Sequence, residues 1–188
     1  MKRVFSTIED AVADFAKYAI PKTDQTNKEH AAVLREKGGI FYYTKIEKGF
    51  HRTVWPTAIK YMVLKGKKYF LHTHPNYGTK SAKGRNKDNT PFSGTPGSRR
   101  AKDAGDTMVV DVLGYDGIYL VSAMGNAYLY EGTGRADESD NTHADDIKQL
   151  YNLKPVITGL TQSRYCYKKI KGSKGRANKY GIHSWSPQ

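Results

Sequence analysis

Tyr69-Phe70-Leu71-His72-Thr73-His74-Pro75 is the stretch on which the reading of this chain turns. Its first three residues are an apolar and aromatic run with strand character. Side chains at i and i+2 of a strand share a face, so His72 and His74 stand side by side. Pro75 has no amide hydrogen and cannot continue a central ladder. The strand is therefore expected to stop there, with the pair at a mouth rather than in a core. Two imidazoles at a strand end are half of a metal site. The plainer reading is two surface histidines beside a turn, and the neighbouring sequence decides between them.

Upstream, Glu36-Lys37-Gly38-Gly39-Ile40-Phe41-Tyr42-Tyr43 is an acid leading into a strand. Downstream, Asp103-Ala104-Gly105-Asp106 leads into an apolar-rich helical stretch over residues 107–113. Gly117-Ile118-Tyr119-Leu120-Val121-Ser122 and Asn126-Ala127-Tyr128-Leu129-Tyr130 read as two strands joined by a turn at Met124-Gly125. A water activated on zinc needs three protein ligands, an open fourth position and a nearby base. His72, His74 and Asp106 can be the ligands of zinc or another divalent metal, and Glu36 can be the base.

In that order the pieces resemble the JAB/JAMM metallohydrolase pattern: a Glu before a strand, His-x-His-Pro, then Ser-x-x-Asp opening a helix. The nearer likeness is to the JAB-like domain at the C-terminal tips of bacterial Rhs and other polymorphic toxins. It runs from an amphipathic first helix, through Glu-x-Gly-Gly and His-Thr-His-Pro, to the hairpin ending near Tyr130, about two-thirds of the chain. The resemblance implies a single α/β domain of the JAB/JAMM (cytidine-deaminase-like) type, with a central mixed sheet and flanking helices. It implies ligand roles for His72, His74 and Asp106 and the base role for Glu36. It also implies a toxin domain delivered by a secretion system within a larger effector, acting in the target-cell cytoplasm and neutralised by an immunity protein. Where the pattern has Ser, this chain has Asp103. A serine there can help hold a developing oxyanion, whereas an ionised Asp repels it. Asp103 is then read as a helix cap, with Ser93 or Ser98 taking the other role. The second departure is the long loop over residues 76–102.

A chain of 188 residues can bury a real core. The expected division is a JAB-like catalytic domain over residues 1–153 and a basic C-terminal extension over 154–188, packed on or flanking it. No apolar run is long enough to span a bilayer. The N-terminus lacks a basic segment followed by an apolar signal core. One cysteine, Cys166, excludes an internal disulfide framework and a cysteine-rich zinc site. The formal net charge is +13 and is unevenly placed. Residues 65–102 carry ten Lys or Arg against one acid, Asp88, and beyond Asp146 there are nine Lys or Arg and no acid. The acids cluster between Glu131 and Asp146. Such asymmetry suits a polyanionic partner, with nucleic acid first. An acidic immunity protein would use the same surface. Arg99, Arg100, Lys102, Lys168, Lys169 and Lys171 are the expected nucleic-acid contacts. Tyr165, Tyr167, Tyr180 and Trp185 interleave with the C-terminal cations, where they can stack on bases or serve a core.

Along the chain, Ser6-Thr7-Ile8-Glu9 opens a helix with a Ser/Thr cap signal. Ile8, Val12, Phe15 and Ala19 recur at helical spacing, and Pro21 is expected to stop the run. Residues 29–37 read as a short helix or an irregular lead-in. A strand is expected over 40–46, then a turn at Lys48-Gly49 and a partner strand over 50–55. Residues 60–64 and 67–71 read as another strand pair. Residues 142–153 read as a helix, and 156–158 as a short strand. His51 is a minor third-ligand candidate and His183 a minor acid or phosphate contact. His30 and His143 are expected at the surface. The leading expectation is a metal-dependent hydrolase cleaving nucleic acid. The same site could cleave an amide or isopeptide bond, as the resemblance implies. A metal-free basic binding module is the third reading.

Overall fold

The computed structural model describes residues 3–50, 54–75, 92, 105–123, 125–132 and 154–162. Helix α1 (Ile8–Thr26) begins at its sequence signal. Thr7 is extended, and its Oγ1 accepts the Asp10 amide at 3.1 Å, a cap worth about 1 kcal/mol. Ala11, Val12, Phe15, Ala16, Ala19 and Ile20 form its buried face. Pro21 does not stop the helix, which continues to Thr26. Proline inside a helix costs about 3 kcal/mol. Burial of Ile20 and Thr23 around it offsets that cost, since a buried Ile alone contributes roughly 1.5–3 kcal/mol. The helix ends at Asn27, left-handed at φ 50°, whose amide reaches the Thr23 carbonyl at 2.7 Å.

Residues 29–37, expected as a short helix or lead-in, contain the central strand β1 (His30–Lys37). Ala31-Ala32-Val33-Leu34 is buried on both faces, so it lacks the alternation that marks a half-exposed strand. Strand β2 (Ile40–Tyr43) returns beside it and is shorter than the expected 40–46. A two-residue strand, β3 (Glu47–Lys48), then pairs with the start of β1. The expected partner strand over 50–55 is replaced at its end by helix α2 (Trp55–Tyr61), with Pro56 in the first turn where its missing N–H costs nothing. Residues 60–64 close that helix rather than forming a strand.

The histidine strand is β4 (Lys68–Thr73), antiparallel to β1 with Ala31 opposite His72. Helix α3 (Asp106–Asp111) precedes β5 (Gly117–Val121), which lies parallel to β4. Strand β6 (Ala127–Tyr130) completes the hairpin. The order β2-β1-β4-β5-β6, with β3 also on β1, makes a mixed sheet of six strands. One face, with Leu34, Tyr69, Leu71 and Val121, packs against α1. The other, with Ala31, Val33, Phe70, Ile118, Leu120 and Tyr128, packs against Ala58 of α2, Val109 of α3 and Phe92. The result is a small α/β domain.

From the C-terminal region, Ile157 makes a single bridge to Ala127 rather than a strand, and Leu160 is buried in the α1-side core. The Leu160 amide donates to the Gly125 carbonyl at 3.0 Å. Gly125 has φ 78°, and a Cβ there would meet the Leu160 carbonyl oxygen at 2.5 Å, so this close approach requires glycine. Apart from Phe92, the expected loop over 76–102 lies outside the described residues, as does the expected helix over 142–153. No helix among the described residues is long and apolar enough to cross a membrane.

Candidate metal centre

Strand periodicity sets the centre. Phe70 faces the α2/α3 side, so His72 does too, and the alternation carries on to His74 past the last paired residue. Helix α3 supplies the third group from above. Gly105 is its N-cap. Asp106 opens the helix, where the dipole favours a carboxylate.

The three groups converge. His72 Nε2 lies 3.2 Å from His74 Nε2. Asp106 Oδ1 is 3.3 Å from His72 Nε2, and Oδ2 is 3.3 Å from His74 Nε2. A tetrahedral ion with bonds of about 2.0 Å has ligand–ligand edges of about 3.3 Å. The His–His separation is close to that edge, each nitrogen is that far from a different Asp106 oxygen, and one donor atom from each residue lies within 4.8 Å of the others, so the three residues could hold a cation. The His72 Nδ1 is 3.0 Å from the Tyr119 carbonyl oxygen. That acceptor requires Nδ1 to carry a proton, so once the ring is neutral, as a metal ligand must be, the Nε2 lone pair faces the cluster. Phe70 stacks on the His72 ring at 6.1 Å, and Phe92 lies at 6.3 Å.

The site is buried, not at an open mouth. His72 is 0% exposed, His74 7% and Asp106 8%. Burial by itself pushes the Asp106 carboxyl up, but the charges and hydrogen bonds of His72 and His74 outweigh it and hold the group well below the usual carboxylate range. Asp106 is thus kept as a carboxylate, the form a cation needs.

Glu36 is not part of this centre. It pairs with Phe41 at the far end of β1, five residues beyond Ala31 and so roughly 16 Å from the His72 row. It also shares parity with Ala32 and Leu34, which face α1 on the opposite side of the sheet. The buried acid on the histidine face nearest this row is Glu29, just before β1. It shares parity with Ala31 and Val33 on the histidine face, and extending the register two residues past the last pair, Ala31–His72, sets it opposite His74. Glu29 is 4% exposed. Its backbone is pinned on the other side by Gly49 N to Glu29 O at 2.8 Å and Glu29 N to Phe50 O at 3.1 Å. The available signal was parity: Glu29 stands an even number of residues before the two buried alanine and valine positions of one face.

Behind the ligands, Thr73 Oγ1 lies 2.6 Å from Thr23 Oγ1 and accepts the His30 amide at 3.1 Å. His30, expected at the surface, is 3% exposed, with Nδ1 at 3.0 Å from the Lys28 carbonyl and 3.1 Å from Thr23 Oγ1. The network ties α1, β1 and β4 together directly beneath the histidine pair.

Asp103, Ser93, Ser98, His51, His143, His183, Cys166 and the six cations Arg99, Arg100, Lys102, Lys168, Lys169 and Lys171 lie outside the described residues. A different basic cleft is present on the α1 face, of about 320 Å³, lined by Arg3, Tyr18, Lys22, Tyr43, Thr44, Lys45 and Ile46. Arg3 is held there by both Asp14 oxygens at 2.9 Å and lies over the Tyr18 ring at 4.0 Å. Lys22 and Lys45 are exposed. Burial, reinforced by the bond to Asp14, raises the Tyr43 hydroxyl above its usual range, so it remains a donor. Comparison with known proteins finds no matching family model, no matching curated protein and no matching solved structure.

Proposed function

We propose that this chain is a metal-dependent hydrolase of the JAB/JAMM kind, a toxin domain that cleaves nucleic acid. The observation that carries the reading is the buried convergence of His72 Nε2, His74 Nε2 and the Asp106 carboxylate at 3.2–3.3 Å. His72, His74 and Asp106 would hold zinc or another divalent ion, leaving one position of a tetrahedron open. Such an ion, when bound, polarises a substrate oxygen and makes a water acidic enough to ionise near neutral pH.

The chain's own groups supply the rest. Glu29, two register steps past the Ala31–His72 pair on the same face, would take a proton from the attacking water at its carboxylate and return it to the leaving group. The Tyr119 carbonyl holds the His72 tautomer. Phe70 and Phe92 keep bulk water from the His72 ring, which strengthens every charge interaction around it.

The substrate class rests on charge. A net +13, with a basic cleft on the α1 face, favours a polyanion. Amide or isopeptide cleavage is the second reading. It is favoured by the donor set itself, because two histidines and one carboxylate around one ion, with a carboxylate base, is also a peptidase arrangement. Action within a target cell, with an acidic immunity partner covering the positive surface, completes the proposal. The test is incubation of the purified chain with DNA, RNA and protein substrates, with and without chelator. Chelator-sensitive cleavage of a nucleic acid that is lost in His74→Ala is the expected result. Chelator-sensitive cleavage of protein alone selects the second reading, and no cleavage of any substrate in the zinc-loaded chain overturns both.

A further inference from the structure

Among the described residues, three buried side-chain atoms have no hydrogen-bond partner: Arg35 Nε, Thr107 Oγ1 and Ser122 Oγ. Folding rarely leaves a hydroxyl dry and unpaired, because it forfeits its bonds to water without replacement. Two of the three lie next to the cluster residues, one in the chain and one by register. Thr107 follows Asp106 in the chain, and Ser122 lines up with His74 in the sheet register.

The place of Ser122 follows from register. Strands β4 and β5 are parallel with His72 beside Leu120 and Thr73 beside Val121, so the next step sets His74 beside Ser122. Ser122 lies one residue past β5, held in the β5–β6 turn by its amide donating to the Asn126 carbonyl at 2.8 Å and its carbonyl accepting the Gly125 amide at 3.0 Å. Leu120 faces the α2/α3 side, and alternation puts Ser122 on that face as well. Ser122 is 0% exposed. Extending the registers therefore lines up one row at this end of the sheet: Glu29 before β1, His74 after β4, Ser122 after β5. Neighbouring strands are about 4.8 Å apart, so the acid and the hydroxyl flank the imidazole at one strand spacing on either side.

We propose that Ser122 is the hydroxyl that anchors the substrate oxygen at this centre. The inference rests on the hydrolase reading and adds to it the group that meets the negative charge formed during attack. As water adds to the phosphoryl or acyl centre, one substrate oxygen gains negative charge. Ser122 donates its O–H to that oxygen without breaking a bond or transferring its proton. Glu29 handles the proton on the other side of His74. A donor fixed in a dry site is worth more to a developing oxyanion than one in water, and it needs no reorganisation. The missing partner of Ser122 in the structure is then the substrate oxygen itself.

The test uses the full chain loaded with cobalt(II), whose visible spectrum reports the centre, titrated with inorganic phosphate as the oxyanion probe. Ser122→Ala is expected to bind cobalt as tightly as the unaltered chain, because Ser122 is not among the clustered ligands. Its affinity for phosphate, read from the cobalt spectrum, is expected to fall by about 10- to 100-fold, the value of a hydrogen bond to a charged group. The melting temperature of the metal-free variant should be unchanged or higher, because an unpaired buried hydroxyl has been removed. Ser122→Cys, which keeps a weak donor of similar size, should fall between the two in phosphate affinity. Unchanged phosphate affinity in Ser122→Ala overturns the proposal, and so does the lack of any phosphate response in the unaltered cobalt-loaded chain. A lower melting temperature or weaker cobalt binding in Ser122→Ala makes the hydroxyl structural and also overturns it. Failure of the unaltered chain to take up cobalt overturns the hydrolase reading itself, a result distinct from the others.

Discussion

Zinc should stabilise this fold, and the size of the effect can be worked from the centre. The three donors come from β4 and from the start of α3, so an ion binds the folded chain and ties two elements that are far apart in sequence. With free zinc at a hundred times its dissociation constant, the gain is about 2.7 kcal/mol. A chain of this length shifts by about 2–4 °C per kcal/mol, so the melting temperature should rise by roughly 5–11 °C. His74→Ala leaves one imidazole and one carboxylate, too few ligands for a structural or catalytic zinc site. Its zinc shift should fall below about 2 °C at the same zinc concentration. The metal-free variant should also lose about 1–3 kcal/mol, because Asp106 is buried and keeps only one of its two imidazole partners. Scanning calorimetry or fluorimetry in zinc-buffered solution, with chelator to reverse the effect, measures both quantities. Glu36→Gln, changed at the far end of β1, should match the unaltered chain. A full zinc shift in His74→Ala, or none in the unaltered chain, refutes the centre.

The two acids separate cleanly in kinetics. Glu29→Gln should lower the hydrolytic rate by about a hundred- to ten-thousand-fold with zinc affinity retained, while Glu36→Gln leaves the rate within about twofold; equal losses in both would show that the register argument misplaces the base. Burial lowers the pKa of His30 below its ordinary value, so the unfolded chain binds the extra proton first. Stability should therefore be lost as pH falls below about 6.5, and His30→Gln should flatten that part of a pH-dependent denaturation series; an unchanged profile would show that His30 does not carry it. Lys22→Gln with Lys45→Gln removes two exposed cations of the α1-face cleft. If nucleic acid uses that cleft, the log-log salt slope of binding should drop in magnitude by about 1.4–1.8, measured by anisotropy, and an unchanged slope places the phosphate contacts elsewhere.

The His72 and His74 side chains were legible as a same-face pair because strand alternation is local: two residues along one strand share a face whatever the rest of the chain does. The same holds for the Thr7 cap, the apolar stripe of α1, the β5–β6 hairpin and the choice of Asp106, an acid at a helix start. The acid opposite His74 was not legible. Glu36 beside Gly38-Gly39 and Glu29 at the other end of β1 are both acids near a strand in the sequence. Only the pairing of Ala31 with His72 decides which face and which end each occupies. The strand itself was hidden, because a segment buried on both faces has no alternation to reveal it. Pro21 misled for a related reason: its local penalty is fixed, but the burial that outweighs it comes from the sheet beneath. Ser122 and Glu29 line up with His74 only through the registers of strands far apart in the chain, and chain-local chemistry contains no record of such pairing.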